Sequence, residues 1–371
     1  MNTFLPMDLS EFLDQDIDMN LKIEGKKCLN EILSSAASNA KPEKCYYCGN
    51  VCKSFCNSHS LPEFFIRNIA ENGKIFYSNS VLGIPIKKEV LGVKEAGTFH
   101  ILCRECDSKI FQEYENKENY QEVPTQKMLA QIDMKNSLKN IGKRRLELEI
   151  YKGMAIKFPE LQCICEGRTS VAKMDLPEYE NSFKRAKKQD LKSNFENYYV
   201  GFYTKLPYVA PMAFQGTVAL IADFESNTIN NIYNYKTSYV IQHLNIVVFP
   251  HEAETTVMLF IDHKNQRYKR FFKQLRKLPL DKQLSTINYI IFAYSEDYFL
   301  SPLLPKNVRN ELSSVAGKTS EGLSVLPSSE ELIDCAKDIY NYDEAENIPN
   351  LLSVEYSLGQ LRKSNTPAQE S

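Results

Sequence analysis

Apolar residues recur every three or four positions in some stretches of the chain and crowd into short runs in others. This difference predicts where helices and strands lie. Residues 7–37 carry Leu9, Phe12, Leu13, Ile17 and Leu21, then Leu29, Ile32 and Leu33, a spacing that suits one or two short helices. Between 41 and 120 the runs are short, as at 74–77 and 81–86, and glycines at 73, 83, 92 and 97 punctuate them, which predicts strands and turns. From Pro124, which fits a first helical turn, the helical spacing returns with Met128, Leu129, Ile132, Leu138 and Ile141. A second helix is expected over 177–197, opening at Pro177. Residues 216–223, 238–250 and 255–262 are rich in Val, Ile, Phe and Tyr, so 198–262 reads as sheet. A helix over 264–277 would place Tyr268, Phe271, Phe272 and Leu275 on one side. The next, with Asp281 as N-cap, carries a stripe of Leu284, Ile287, Ile291, Tyr294 and Tyr298. A short helix is expected at 329–340, and 364–371 reads as frayed.

These elements predict an α+β chain in five parts. They are a helical segment (1–40), a cysteine-rich unit (41–122), a helical connector with a basic face (123–197), an α+β region with a mainly antiparallel sheet faced by helices (198–310), and an acidic segment (311–371). The apolar share of 43% and charged share of 25% are those of a folded chain. No run approaches the ~18–20 apolar residues that cross a bilayer. The acidic start lacks the basic and apolar regions of a secretory signal, so no membrane association and a cytoplasmic location are expected. The net charge of −2 is uninformative, but its distribution is not. Residues 135–192 hold 14 bases against 8 acids, and 262–282 hold 8 against 2. Lys184, Arg185, Lys187 and Lys188 in the first block, and Lys269, Arg270 and Lys273 in the second, are the expected contacts to nucleic-acid phosphates.

Six of the ten cysteines lie between Cys45 and Cys106. In a reducing compartment such clusters bind metal more often than they form disulfides. Cys45-Tyr46-Tyr47-Cys48-Gly49 is a C-x-x-C-G knuckle, in which the glycine supplies the positive φ of a tight turn. Cys103-Arg104-Glu105-Cys106 is a second C-x-x-C. Together they offer the four thiolates of a structural Zn²⁺ site, with Cys52 and Cys56 as rival ligands.

Between the two pairs stands Ser58-His59-Ser60-Leu61-Pro62, and directly after the second comes Asp107. This order resembles the HNH (ββα-metal, His-Me finger) endonucleases, over residues 43–118. There a C-x-x-C precedes a histidine with proline three residues on, and a second C-x-x-C opens a helix. The resemblance implies a zinc-stabilised ββα-metal domain that hydrolyses phosphodiesters. His59 would be the general base and Asp107 the ligand of a catalytic Mg²⁺ or Mn²⁺. The chain departs from the pattern in having Ser58 where an acid or Asn usually precedes the histidine, and Asp107 where Asn or His is usual. The family's middle residue, which orients the base, has no clear match; His100 is preferred over Thr98. The implied partner is nucleic acid, double-stranded DNA foremost, with a protein partner or second copy also open. A role as a bacterial antiphage defence effector follows by analogy alone.

Other patterns carry less. Asp223 with Asp262-His263-Lys264 resembles the PD-(D/E)xK restriction core, but acids often end strands. Gly317-Lys318-Thr319 lacks the first glycine of a phosphate loop. Cys163 and Cys165 read as structural, and His243 as buried and neutral. The alternative from another class is a non-catalytic zinc module that binds nucleic acid or protein.

Overall fold

A computed structural model describes residues 19–365 except 79, 82–83, 86–89, 193–196, 235, 237, 296, 314 and 316–328. Expectations for 1–18, 317–319 and 366–371 lie outside the described residues. The helices are α1 (Met19–Asn39), α2 (Glu63–Ile69), α3 (Arg104–Ile110), α4 (Gln126–Lys157), α5 (Gln162–Leu191), α6 (Tyr268–Leu275), α7 (Leu280–Tyr294), α8 (Lys306–Ser313), α9 (Ser329–Ile339) and α10 (Leu358–Asn365). The strands are β1 (Ser58–His59), β2 (Lys74–Ser78), β3 (Ser80–Val81), β4 (Ile84–Pro85), β5 (Val90–Gly92), β6 (Thr98–Phe99), β7 (Tyr198–Leu206), β8 (Met212–Val218), β9 (Leu244–Pro250), β10 (Thr255–Asp262) and β11 (Tyr298–Leu300). Among the described residues no helix is long and apolar enough to cross a membrane.

The chain is α+β and its main sheet is antiparallel, as the patterning predicts. Seven strands lie in the order β5-β2-β11-β8-β9-β10-β7. Two of them, β5 and β2, come from the cysteine-rich segment; β5 pairs with β2, and β2 with β11 far along the sequence. Residues 41–122 therefore share a sheet and a core with 198–310, and no break in the core follows the boundary drawn at 122. Short repeats of Val, Ile and Phe mark strands locally, but pairing between distant strands leaves no local trace.

Two other expectations change. Helix α5 starts at Gln162 and carries Pro177 in its interior, not at its first turn. Proline removes the bond to the carbonyl four residues back, that of Lys173; Lys173 is exposed, so water can satisfy it. Tyr298 opens β11 instead of extending the stripe of α7, which ends at Tyr294.

Helix α4, 32 residues and about 48 Å long, organises one face of the sheet. Thr125 caps it through Oγ1, which accepts the Met128 amide. Its first half is buried on all sides, polar residues included. Asn136 donates to Asn245 of β9 (2.9 Å) and accepts from Gln215 of β8 (3.1 Å). Asn140 reaches Thr217 (2.9 Å). Asp133 accepts from the Tyr198 hydroxyl at the start of β7 (2.9 Å). Helix α2 lies on the same face, where Phe65 stacks on Phe249 at 4.4 Å. Helix α6 covers the opposite face, with Phe272 edge-on to Tyr199. The second half of α4 packs with α5 and α1 around Ile32, Ile150, Met154 and Cys165 as a separate small core.

Burial raises the Asp133 carboxyl to about 6, with the charge of Asp262 adding to the shift and Tyr198 and Arg185 opposing it. A carboxyl that keeps its proton to about pH 6 when folded, and releases it near pH 4 when unfolded, supports folding less as pH rises through that window. Asp133→Asn should therefore gain on the wild type as pH rises. The gain should grow by roughly 1 kcal/mol between pH 5.5 and 8, read as paired thermal or urea unfolding curves at the two pH values.

Candidate functional site

The first knuckle is a tight loop closed by its own backbone. The Gly49 amide donates to the Cys45 carbonyl (2.8 Å), and the Cys45 amide to the Asn50 carbonyl (2.9 Å). Gly49 has φ +74°, the conformation assigned to it from the motif. The second pair opens α3: Cys103 is the N-cap and its sulfur accepts the Cys106 amide (3.4 Å). The Cys103 amide in turn donates to the Cys45 sulfur (3.4 Å), so the pairs face each other across 58 positions of sequence. The sulfurs of Cys45, Cys48, Cys103 and Cys106 all lie within 4.8 Å of one another, close enough to hold one metal ion such as zinc. Burial raises the Cys45 thiol, but the backbone amides of Cys103, Cys48 and Tyr47 outweigh it and bring the thiol down to about 7. Burial and the neighbouring thiols push Cys106 up. The rivals turn elsewhere: Cys52 donates to the Asn50 carbonyl, and Cys56 lies against Ser58 and the Leu102 carbonyl.

The knuckle rests on the long helices. Lys187 of α5 donates to the Tyr47 carbonyl (2.6 Å) and sits 4.0 Å over the Tyr47 ring. Arg185 pairs with Asp262 (3.3 Å), and Arg270 with Asp223 (3.2 Å) and Glu225. Three of the seven cations assigned to phosphate contact thus have partners within the chain, whereas Lys184, Lys188, Lys269 and Lys273 are exposed. The same pairs separate the restriction-type residues. Asp223 gathers the amides of Glu225 and Asn227 in a turn and takes its own arginine, and Asp262 takes another. His243 is half-buried, and loss of water around its ring lowers it to about 4, which keeps it neutral.

Between the paired cysteines, β1 and β6 form a two-residue ribbon, with Ser58 opposite Phe99 and His59 opposite Thr98. Helix α2 and strands β2–β5 lie between its two strands in sequence, and α3 follows β6. Successive strand residues face opposite ways, and here that decides which residue meets Asp107. Ser58, fully buried, donates to Asp107 Oδ1 (2.7 Å). His59 faces the other side. Its Nε2 lies 3.1 Å from the Val93 carbonyl, and its Nδ1 lies 3.9 Å from Glu63, which also pairs with Arg67. The group that orients His59 is therefore the Val93 carbonyl. His100, assigned that role from sequence, bonds Asn57 instead (2.8 Å). A backbone carbonyl has no residue type, so no sequence signal could have named Val93.

Asp107 has a second partner that the sequence reading missed. Lys135 of α4, with a side chain 1% exposed, places Nζ 3.2 Å from Asp107 Oδ1 and 3.0 Å from Glu115. Burial works to raise the Asp107 carboxyl, but Lys135 and Ser58 outweigh it and hold the carboxyl below its usual range. A Mg²⁺ or Mn²⁺ ion needs several open oxygen ligands. Here one carboxylate oxygen is shared by a hydroxyl and an ammonium, and the residue before His59 is a donor to that carboxylate. These residues do not fit a catalytic divalent ion.

Comparison with known proteins gives no match: no protein family, no curated protein and no solved structure corresponds to this chain.

The thiol cluster makes a direct prediction. Purified protein should contain about one zinc per chain by elemental analysis. Cys45→Ser or Cys106→Ser should remove the metal and lower the unfolding temperature, and Cys52→Ser should do neither.

Proposed function

We propose that the chain is an HNH-like phosphodiesterase that cleaves nucleic acid, with His59 as general base. The observation that carries this reading is the setting of His59 on a ribbon pinned between two C-x-x-C pairs. Its Nε2–H donates to a backbone carbonyl, which leaves the Nδ1 lone pair directed away from that carbonyl. Hydrolysis needs a water deprotonated near neutral pH, and a neutral imidazole with one nitrogen tied down can take that proton at the other. Glu63, beside Nδ1, then steadies the imidazolium. Zinc at the four cysteines, in this reading, holds the ribbon and α3 at fixed spacing and takes no part in the reaction. Exposed Lys184, Lys188, Lys269 and Lys273 supply contacts to the phosphate backbone of duplex DNA. No step is assigned to a catalytic divalent ion.

A second reading, a zinc-stabilised module that binds nucleic acid or protein without cleaving it, is favoured by one feature: Ser58 and Lys135 both hold Oδ1 of Asp107.

One assay separates the two. Zinc-loaded wild type is expected to nick plasmid DNA or cut RNA. His59→Ala should keep its zinc and its unfolding temperature and lose ~10²–10⁴ in rate, the usual loss for a general base. Asp262→Ala combined with Lys264→Ala should cut normally. Absence of cleavage by the wild type on any substrate would replace the enzyme with the binding module. Separately, charge reversal of Lys184, Lys188, Lys269 and Lys273 should flatten the log–log salt dependence of DNA affinity by about 0.9 per lost phosphate contact.

A further inference from the structure

Three lysines on one side of α4, Lys135, Lys139 and Lys143, four residues apart, meet carboxylates. The last two share Asp297, which burial would raise but the two ammonium groups hold at about 2. Lys135 differs from them in its surroundings. Its ammonium is enclosed by Asp107 and Glu115, and it lies 3.8 Å over the Phe111 ring and 6.0 Å from that of Phe99. The two carboxylates are partly exposed, 24% and 36%, while the ammonium behind them is 1% exposed. The positive charge therefore comes from inside the protein and meets carboxylates that open outward.

We infer that Lys135 is a built-in cation that stands where a divalent ion would otherwise bind Asp107 and Glu115, so that the wild type excludes Mg²⁺ and Mn²⁺ from this position. The position lies across the ribbon from His59, and the inference rests on the proposed function only for what use the pocket would have. It follows from charge and geometry. Two carboxylates carry charge −2, and the ammonium between them leaves −1. Phe111 adds a ring face on the ammonium, which holds it in place. A divalent ion arriving from solvent would have to share Asp107 with a like charge that cannot withdraw into water. With the ammonium removed, two convergent carboxylates next to the Ser58 hydroxyl become a hard-cation site of the ordinary kind. A covalently attached cation thus takes the place that a dissociable ion would occupy.

The test is Mn²⁺ binding, read as loss of the free-ion electron paramagnetic resonance signal, on zinc-loaded full-length protein. Wild type should show no site that depends on Asp107. Lys135→Met, which keeps the packing on Phe111 without the charge, should gain a site at least about tenfold tighter, as expected for loss of one nearby like charge. Lys135→Met with Asp107→Asn should lose it again. If the unpaired carboxylates weaken Lys135→Met, Mn²⁺ should raise its unfolding temperature and leave that of the double variant unchanged. An Asp107-dependent Mn²⁺ site in the wild type overturns the inference, and so does a Lys135→Met protein that neither binds Mn²⁺ nor is stabilised by it. Neither result depends on cleavage, so inactivity of the wild type would count against the phosphodiesterase alone.

Discussion

Polar groups taken out of water must find partners inside, because an unpaired buried donor or charge costs more than most single contacts return. Helix α4 imposes that demand on the whole molecule. Its enclosed half carries Asp133, Lys135, Asn136 and Lys139, and each is answered from a different element. Tyr198 answers from β7, Asn245 and Gln215 from β9 and β8, Asp107 from α3, and Asp297 from the approach to β11. Apolar packing on the sheet would tolerate small sliding of the helix. These pairs do not, since each loses its bond within about 1 Å of displacement. The placement of α3, and with it the spacing of the second cysteine pair, follows from the registration of α4.

The parts of this arrangement that were legible in the sequence are those in which the chemistry is local. Two cysteines separated by two residues, and a glycine after them, specify a chelating turn whatever surrounds it. The structure brings the chosen four sulfurs together and sends Cys52 and Cys56 elsewhere. The antiparallel sheet and the buried faces of α6 and α7 were visible for the same reason, as period and composition. Partnership over distance was not visible. Lys135, Arg185 and Lys187 counted as a basic surface because a sequence shows charge and hides burial. The partner of His59 was sought at His100 or Thr98, and it is the carbonyl of Val93. Pro177 suggested a helix start because proline is favoured there, yet a single exposed carbonyl lets the helix continue through it.

The thiol cluster and the ribbon divide the work of support between them. The four sulfurs bring residues 45 and 106 together, so a metal held there would fix the two ends of the intervening segment. The ribbon uses only two residues on each side, too few for independent stability, and depends on that closure. Lys187, bonded to the Tyr47 carbonyl, ties the closure to the end of α5. A metal held by the four sulfurs would therefore support both the ribbon of His59 and the basic end of that helix.

The order of strands in the main sheet has a consequence for how the molecule is made. Strand β2, at residues 74–78, finds its inner neighbour only in β11, at 298–300, more than 200 residues later. Until β11 leaves the ribosome, a hairpin of β2 and β5 would keep the inner edge of β2 open, and such an edge invites pairing with other chains. Contacts so far apart in sequence slow folding, because a long loop closes before they form. Binding of metal at the cysteines needs nothing beyond residue 106, so it can tether the early segment during that wait and keep the unfinished edge close to its own chain.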